Sequence, residues 1–331
     1  MLRHSILLLL LFTGIAVNAQ SPGFRFAFYN VENLFDTINN PNKEDDAFTP
    51  DGENHWNSYR YQTKLNHIYK TLMAVKGWEN LYFIGLCEVE NRNVLDHLLY
   101  KTPLYRFGYR ILHQESPDER GIDVALLYRE DKVTVNNTFF HPVSFPFDTT
   151  DKTRDILYTQ AIVEKTDTLH VFVNHWPSRY GGYMQTQPKR KHTGKVLGNM
   201  ADSILKAKPG SNIVLAGDFN DEPNDAGLKS LMDNVGHGSL TNLPLKPSAK
   251  GTTKYRSQWL HFDQIIVSQA LLEPDGLHLQ EKKLSVGNFP FLLKPDKRYQ
   301  GKEPWRFYLG PKYEGGYSDH LPIFIDIRKT K

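Results

Sequence analysis

The chain has 331 residues, of which 40% are hydrophobic, 23% charged and 12% aromatic, with no repeats or low-complexity stretches. This is the composition of a folded globular protein of one large or two ordinary domains, and its single Cys87 excludes an intramolecular disulfide. The formal charge of +3 is nearly neutral and gives no support for general nucleic-acid binding.

The first 20 residues stand apart. Arg3 and His4 precede the apolar run Ile6 to Phe12, which is followed by Val17-Asn18-Ala19-Gln20. A basic start, a short apolar stretch and small residues before the cut describe a cleavable secretory signal. The run is too short to span a bilayer comfortably. No Cys follows it, so a lipoprotein anchor is not expected. We expect cleavage after Ala19 and one domain over residues 20–331, exported to the periplasm or the exterior.

From Phe24 to Tyr29 a strand is expected, ending in Asn30-Val31-Glu32, an amide and a carboxylate on one side of an extended chain. An irregular segment, Thr37 to Asn57, precedes a helix that Ser58 is placed to cap, with Leu65, Ile68, Leu72 and Val75 on one face. The run Tyr82 to Cys87 ends in Glu88-Val89-Glu90, and Cys87 reads as a small buried hydrophobe. A short helix over Asn93 to Tyr100 and a strand over Val124 to Tyr128 follow. The strand Leu169 to Val173 runs into Asn174-His175-Trp176-Pro177-Ser178-Arg179. A second long helix is expected over about Lys191 to Ala207, stopped by Pro209-Gly210. After the run Ile213 to Ala216 come Gly217-Asp218-Phe219-Asn220-Asp221. Asp263 interrupts the otherwise apolar strand Phe262 to Val267, where a carboxylate is costly to bury unless paired. Ser285 to Ser318 is irregular and rich in aromatics. It leads to Ser318-Asp319-His320-Leu321-Pro322 and the last strand, Ile323 to Ile327.

These intervals leave room for few crossover helices, so the expected fold is α/β with mixed sheets and helices outside. Strand ends of this kind deliver carboxylates, amides and imidazoles to one cleft. Asp218 can take a proton from water, and Asn220 can orient that water or a phosphate oxygen. Hard oxygen ligands favour Mg²⁺, Mn²⁺ or Ca²⁺ over zinc, and no Cys/His zinc spacing or Gly-rich phosphate loop is present.

The series Asn30-x-Glu32, Glu88, Asn174-His175, Gly217-Asp218-Phe219-Asn220, Phe262-Asp263-Gln264-Ile265 and Ser318-Asp319-His320-Leu321-Pro322 resembles the endonuclease/exonuclease/phosphatase superfamily. The likeness runs from about residue 24 to 327. It implies a four-layer α/β sandwich of the DNase I-like kind, two mixed β-sheets packed face to face with helices outside. It further implies Glu88 as the principal metal ligand, with Asn30, Glu32 and Asp319 beside it. Asp218 would activate or position the attacking water and Asn220 would orient it. His320 would contact the scissile phosphate, Asp263 would hold His320, and His175 would be a second phosphate-contacting histidine. Asn174 and Arg179 are candidates for substrate contacts.

The implied enzyme is a monomer without a stable protein partner, and its substrate is a phosphodiester, either a nucleic acid (DNA or RNA) or a small or lipid phosphodiester. Glu32 departs from the Asp that many members carry. The residues before Asp263, Gln258-Trp259-Leu260-His261, lack the inositol 5-phosphatase signature, which lowers the alternative of an inositol-phosphate-type phosphomonoesterase. A binding module that kept the fold and lost its chemistry is the competing class. It would be expected to have lost the acid, the amide or the histidine, and all are present.

Overall fold

The computed structural model describes residues 23–330; the expected export segment and its cleavage point lie outside them. The chain lays down β1 (Gly23–Leu34), α1 (Ser58–Lys76), β2 (Leu81–Val89), α2 (Arg92–Tyr100), β3 (Tyr109–His113) and β4 (Asp123–Arg129). It then builds β5 (Val133–His141), β6 (Ile156–Val163), β7 (Asp167–His175), α3 (Tyr183–Ala207), β8 (Asn212–Asp218), α4 (Ala226–Asp233) and β9 (Leu240–Asn242). A hairpin of β10 (Thr253–Tyr255) and β11 (Gln258–Leu260) leads into β12 (Asp263–Ser268), followed by β13 (Leu277–Leu279) and β14 (Ser285–Val286). Two further hairpins, β15 (Leu293–Pro295) with β16 (Lys302–Pro304) and β17 (Tyr308–Leu309) with β18 (Lys312–Tyr313), precede β19 (Ile323–Lys329).

One sheet has the order β13-β19-β1-β2-β4-β3, with β14 also on β19; the other runs β5-β6-β7-β8-β12-β9. Each holds one parallel pair, β1 with β2 and β7 with β8, joined in each case through a long helix. A parallel crossover brings the C-terminal ends of its two strands to the same edge. Both pairs therefore present their last residues together, as expected for the predicted polar strand ends.

Alternation along the strands sorts the side chains into four layers. Phe26, Phe28 and Phe83 meet Val171, Val173, Val214, Ala216 and Ile265 between the sheets. Ala27, Tyr29 and Ile84 face Leu65, Ile68 and Leu72 of α1. On the opposite side Phe172, Ile213 and Leu215 pack on Leu197 and Ala201 of α3 and Leu228 and Leu231 of α4. The two-sheet sandwich with helices outside is as expected, and Cys87 is a buried free thiol in the inter-sheet core.

Two local readings are corrected. Helix α1 is capped by Asn57, whose side chain accepts the Arg60 N–H at 3.1 Å, rather than by Ser58. Helix α3 starts at Tyr183, well before Lys191, and contains Pro188. Pro188 has no N–H for the Met184 carbonyl and its ring crowds that carbonyl, so the first turns need another tie. Arg190, fully buried on Asp221 at 2.6 Å and on Thr186 at 2.8 Å, fastens those first turns. The aromatic-rich segment 285–318 packs on its own side chains, Phe291 and Trp305 on Tyr317 and Phe307 on Tyr313. His67 stacks on Tyr317 at 4.2 Å and Trp56 meets Phe307 at 5.5 Å, and the segment's Phe289, Phe291, Tyr299, Trp305, Phe307, Tyr308, Tyr313 and Tyr317 are all buried or half-buried.

Candidate active site

The polar residues at the shared edge continue the inner faces of the two sheets. Asn30 follows the parity of Phe26 and Phe28, His175 that of Val171 and Val173, Asp218 that of Val214 and Ala216, and Asp263 that of Ile265 and Val267. The site is therefore the polar cap of the inter-sheet core. Glu88 shares the outward parity of Ile84 and Leu86, and a register shift between Cys87 and Val89, with φ 60° at Glu88, re-aims it. Nine described non-glycine residues have positive φ, and four of them, Glu32, Asn33, Glu88 and Asn220, lie here. Such strain persists only where surrounding structure over-determines it, and it concentrates at functional sites. At Gly217, β7 and β8 approach so closely that a Cβ would stand 2.4 Å from the Asn174 carbonyl oxygen.

His320 Nδ1 donates to Asp263 Oδ2 at 2.7 Å, and its Nε2 lies 3.8 Å from Asp218 Oδ2. Asp263 also pairs with Asp218 across β12 and β8. Asp218 Oδ1 accepts the Asn220 N–H at 2.9 Å, and Oδ2 accepts from Asn30 Nδ2 at 3.0 Å. The same Asn30 nitrogen is 3.3 Å from Glu88 Oε1, so one amide ties the two carboxylates together. His175 Nε2 lies 3.8 Å from both Glu88 and Asp218. Ser318 donates to the Asn30 carbonyl at 2.8 Å and accepts the His320 N–H at 3.0 Å, fixing the last loop against β1.

Burial pushes the Asp218 carboxyl up to about 7, with Asp263 adding to it and His320 opposing. Burial alone would lower His320, but Asp263, Asp218 and Asp319 outweigh it and raise the imidazole well above its ordinary value. His175 goes the other way, held well below that value by burial, Arg154, Arg120 and His320. The two histidines in one cleft are thus pushed in opposite directions, His320 toward the imidazolium and His175 toward the neutral ring.

Three expected site residues are engaged elsewhere. Glu32 accepts the Phe307 N–H at 2.7 Å and lies 3.5 Å from Arg306 Nε, so its carboxylate anchors the 306–308 loop. Asn174 has the outward parity of Phe172 and donates to the Ala216 carbonyl at 3.3 Å, away from the cleft; adjacent strand residues cannot share a face. Arg179 donates to the Asn220 carbonyl at 2.8 Å and covers the Phe262 ring at 4.5 Å, bracing the Asp218–Asp221 turn. Asp319 does turn away from Asp263, but it meets Arg306 Nη2 at 2.7 Å.

Sequence reading missed four cations. Lys64 is fully buried with Nζ on the Tyr317 carbonyl at 2.9 Å; burial lowers it to about 8 while Glu32, Asp319 and Glu88 oppose. Its place in the apolar phase of α1, between Tyr61 and Ile68, was the available signal. Arg154 is buried and reaches Asp118 at 2.9 Å and the Trp176 carbonyl at 2.7 Å, holding the turn after His175. Arg120 and Arg306 sit on loops, where periodicity gives no signal.

A family model described as the endonuclease/exonuclease/phosphatase family matches residues 25–329. The chain belongs to that family. Among solved structures, the human Nocturnin catalytic domain with bound sulfate aligns at TM-score 0.58 and 17% identity over 94% of this chain and 96% of that one. Humanized D. rerio TDP2 aligns at 0.57 and 14% identity over 93% and 99%. A Bacteroides thetaiotaomicron mannosyl-6-phosphatase aligns at 0.56 and 16% identity over 92% and 99%. These likenesses bear on the fold, which is the DNase I-like sandwich. No curated protein matches the chain.

Enzymes of this family are generally divalent-metal dependent, and the donor set here fits such an ion. Glu88 accepts only an amide N–H at 3.3 Å and the Asn33 N–H at 3.0 Å, which leaves carboxylate lone pairs free, and Asp319 is a third exposed. These are the hard oxygens that Mg²⁺ or Mn²⁺ prefers. Asp218, Asp263 and His320 also place three ligand atoms within 4.8 Å of one another. There, however, Nδ1 of His320 is committed to Asp263.

Proposed function

We propose that this protein is an exported, metal-dependent hydrolase of phosphoric esters. Asp218 takes a proton from the attacking water, and the cationic His320, oriented by Asp263, meets the charge that grows on the phosphoryl oxygens. Neutral His175 donates Nε2–H to a phosphoryl oxygen, and the Asn30 side chain and the Asn220 main-chain N–H fix the Asp218 carboxylate, while the Asn220 side-chain amide is held on the Trp176 carbonyl at 3.1 Å. Glu88, with Asp319 and Asn30 beside it, would hold the divalent ion. When bound, that ion supplies positive charge to the phosphoryl and leaving oxygens.

The observation that carries this reading is the Asp263–His320 pair at 2.7 Å, with the free ring nitrogen 3.8 Å from Asp218. The basic, apolar and small-residue sequence of the first 20 residues supports export. The test is hydrolysis of p-nitrophenyl phosphate and bis-p-nitrophenyl phosphate in Mg²⁺ or Mn²⁺. Turnover should vanish in EDTA and in Asp218→Asn. Full activity in EDTA, or a fully active Asp218→Asn, would overturn the proposal. N-terminal sequencing of the periplasmic or culture fraction tests export, with Gln20 the expected first residue.

A further inference from the structure

Two arginines that this chemistry leaves unused stand on the carboxylate side of the cleft. Arg120 lies in the β3–β4 loop before Gly121, which has φ 66°. Its Nη2 donates to Asn33 Oδ1 at 2.7 Å and lies 3.8 Å from Glu88 Oε2, and 43% of the side chain is exposed. Arg306 lies between β16 and β17, with Nη2 on Asp319 at 2.7 Å, and 37% of its side chain is exposed. Each guanidinium is thus tied to the site by one edge and open to solvent by another. A guanidinium carries five N–H donors in a planar fork suited to phosphate oxygens.

The two forks arrive from separate loops, in addition to the imidazoles of His175 and His320. A phosphodiester has two non-bridging oxygens and one negative charge. A phosphomonoester has three such oxygens and, with a second pKa near 6, carries between one and two charges at neutral pH. Two charged forks beyond the imidazoles match the third oxygen and the second charge.

We propose that Arg120 and Arg306 are specificity residues that grip a terminal phosphate, so that the preferred substrate is a phosphomonoester rather than an internal phosphodiester. The inference rests on the phosphoester hydrolysis proposed above. With p-nitrophenyl phosphate and bis-p-nitrophenyl phosphate as the pair, the wild-type kcat/KM should favour the monoester. Arg120→Gln and Arg306→Gln should each lower monoester kcat/KM by about 10²-fold and diester kcat/KM by less than about tenfold. Lysine at either position should restore only part of the loss, since it returns the charge without the fork.

Inorganic phosphate binding, measured by calorimetry without turnover, should weaken in parallel, which a variant with altered catalysis alone would not do. Equal losses on both esters, unchanged phosphate affinity, or a wild-type preference for the diester would overturn the clamp. Wild-type protein inert toward both esters would instead overturn the underlying hydrolysis. Phosphate affinity would still test the arginines in that case.

Discussion

In one sheet β1 and β2 run parallel through α1; in the other β7 and β8 run parallel through α3. Both units bring their strand ends to the same edge, yet they equip it differently. The β7/β8 side carries His175 and Asp218, and β12 adds Asp263 to hold His320. Its carboxylates are matched to an imidazole. The β1/β2 side carries Glu32 and Glu88, with Asp319 from the last loop, and these face main-chain N–H groups, Lys64, Arg120 and Arg306. Imidazole can exchange a proton near neutral pH, whereas guanidinium cannot. The architecture thus makes an edge twice, and residue choice matches one half's carboxylates to imidazole and the other's to guanidinium, main-chain N–H groups and Lys64.

The largest expected effect tests that division directly. Asp218→Asn removes the proton acceptor and should lower kcat by about 10³-fold or more with the fold retained. Glu88→Gln should also lower turnover by orders of magnitude, but with a raised Mg²⁺ or Mn²⁺ requirement that Asp218→Asn lacks. Metal titrations of both variants decide this. Identical metal dependence would erase the distinction between the halves.

Next in size is Asp263→Asn, expected to reduce kcat by about 10²-fold. Asp263 is the first of the carboxylates that raise His320, so the variant's imidazole should lose its proton at lower pH. The alkaline limb of the pH–rate profile should therefore move downward. A profile of unchanged shape would mean that His320 does not work as the cationic partner. His175→Ala should cost about as much, roughly 10²-fold, but without moving either limb, because His175 is already neutral across the working range. Near-normal turnover would make it a structural residue only.

Much of this was legible before the fold was known, and the reasons are local. Polar residues that continue an inward strand parity, such as Asp218 after Val214 and Ala216, announce a cleft because burying them otherwise would be costly. Asp263 was readable for the same reason. What escaped was set by tertiary geometry. Asn174 lies beside His175 in sequence but on the opposite face, and parity would have excluded it. Glu32 has the right parity, yet it is drawn to a loop nearly three hundred positions away in the chain, which no spacing reveals. Among the missed strands, β5 is half polar, its exposed edge residues hiding the alternation that the reading relied on.

The smallest effect concerns a carboxylate with neither kind of partner. Asp155 is buried, its Oδ1 meets no hydrogen-bond partner among the described residues, and burial with the nearby Asp123 raises its carboxyl from 3.8 to about 6. A raised folded-state pKa means that the native protein holds this proton more tightly than the unfolded chain. That contribution to stability is complete below about pH 4 and is lost as the pH rises through about 6. Above that range an unpaired buried charge remains. Asp155→Asn should then stabilise the protein at pH 7 by about 1–3 kcal/mol, and the gain should shrink toward pH 4. Thermal unfolding of both proteins from pH 4 to pH 8 measures it. A gap that stays constant with pH would mean that Asp155 does not titrate as its surroundings require.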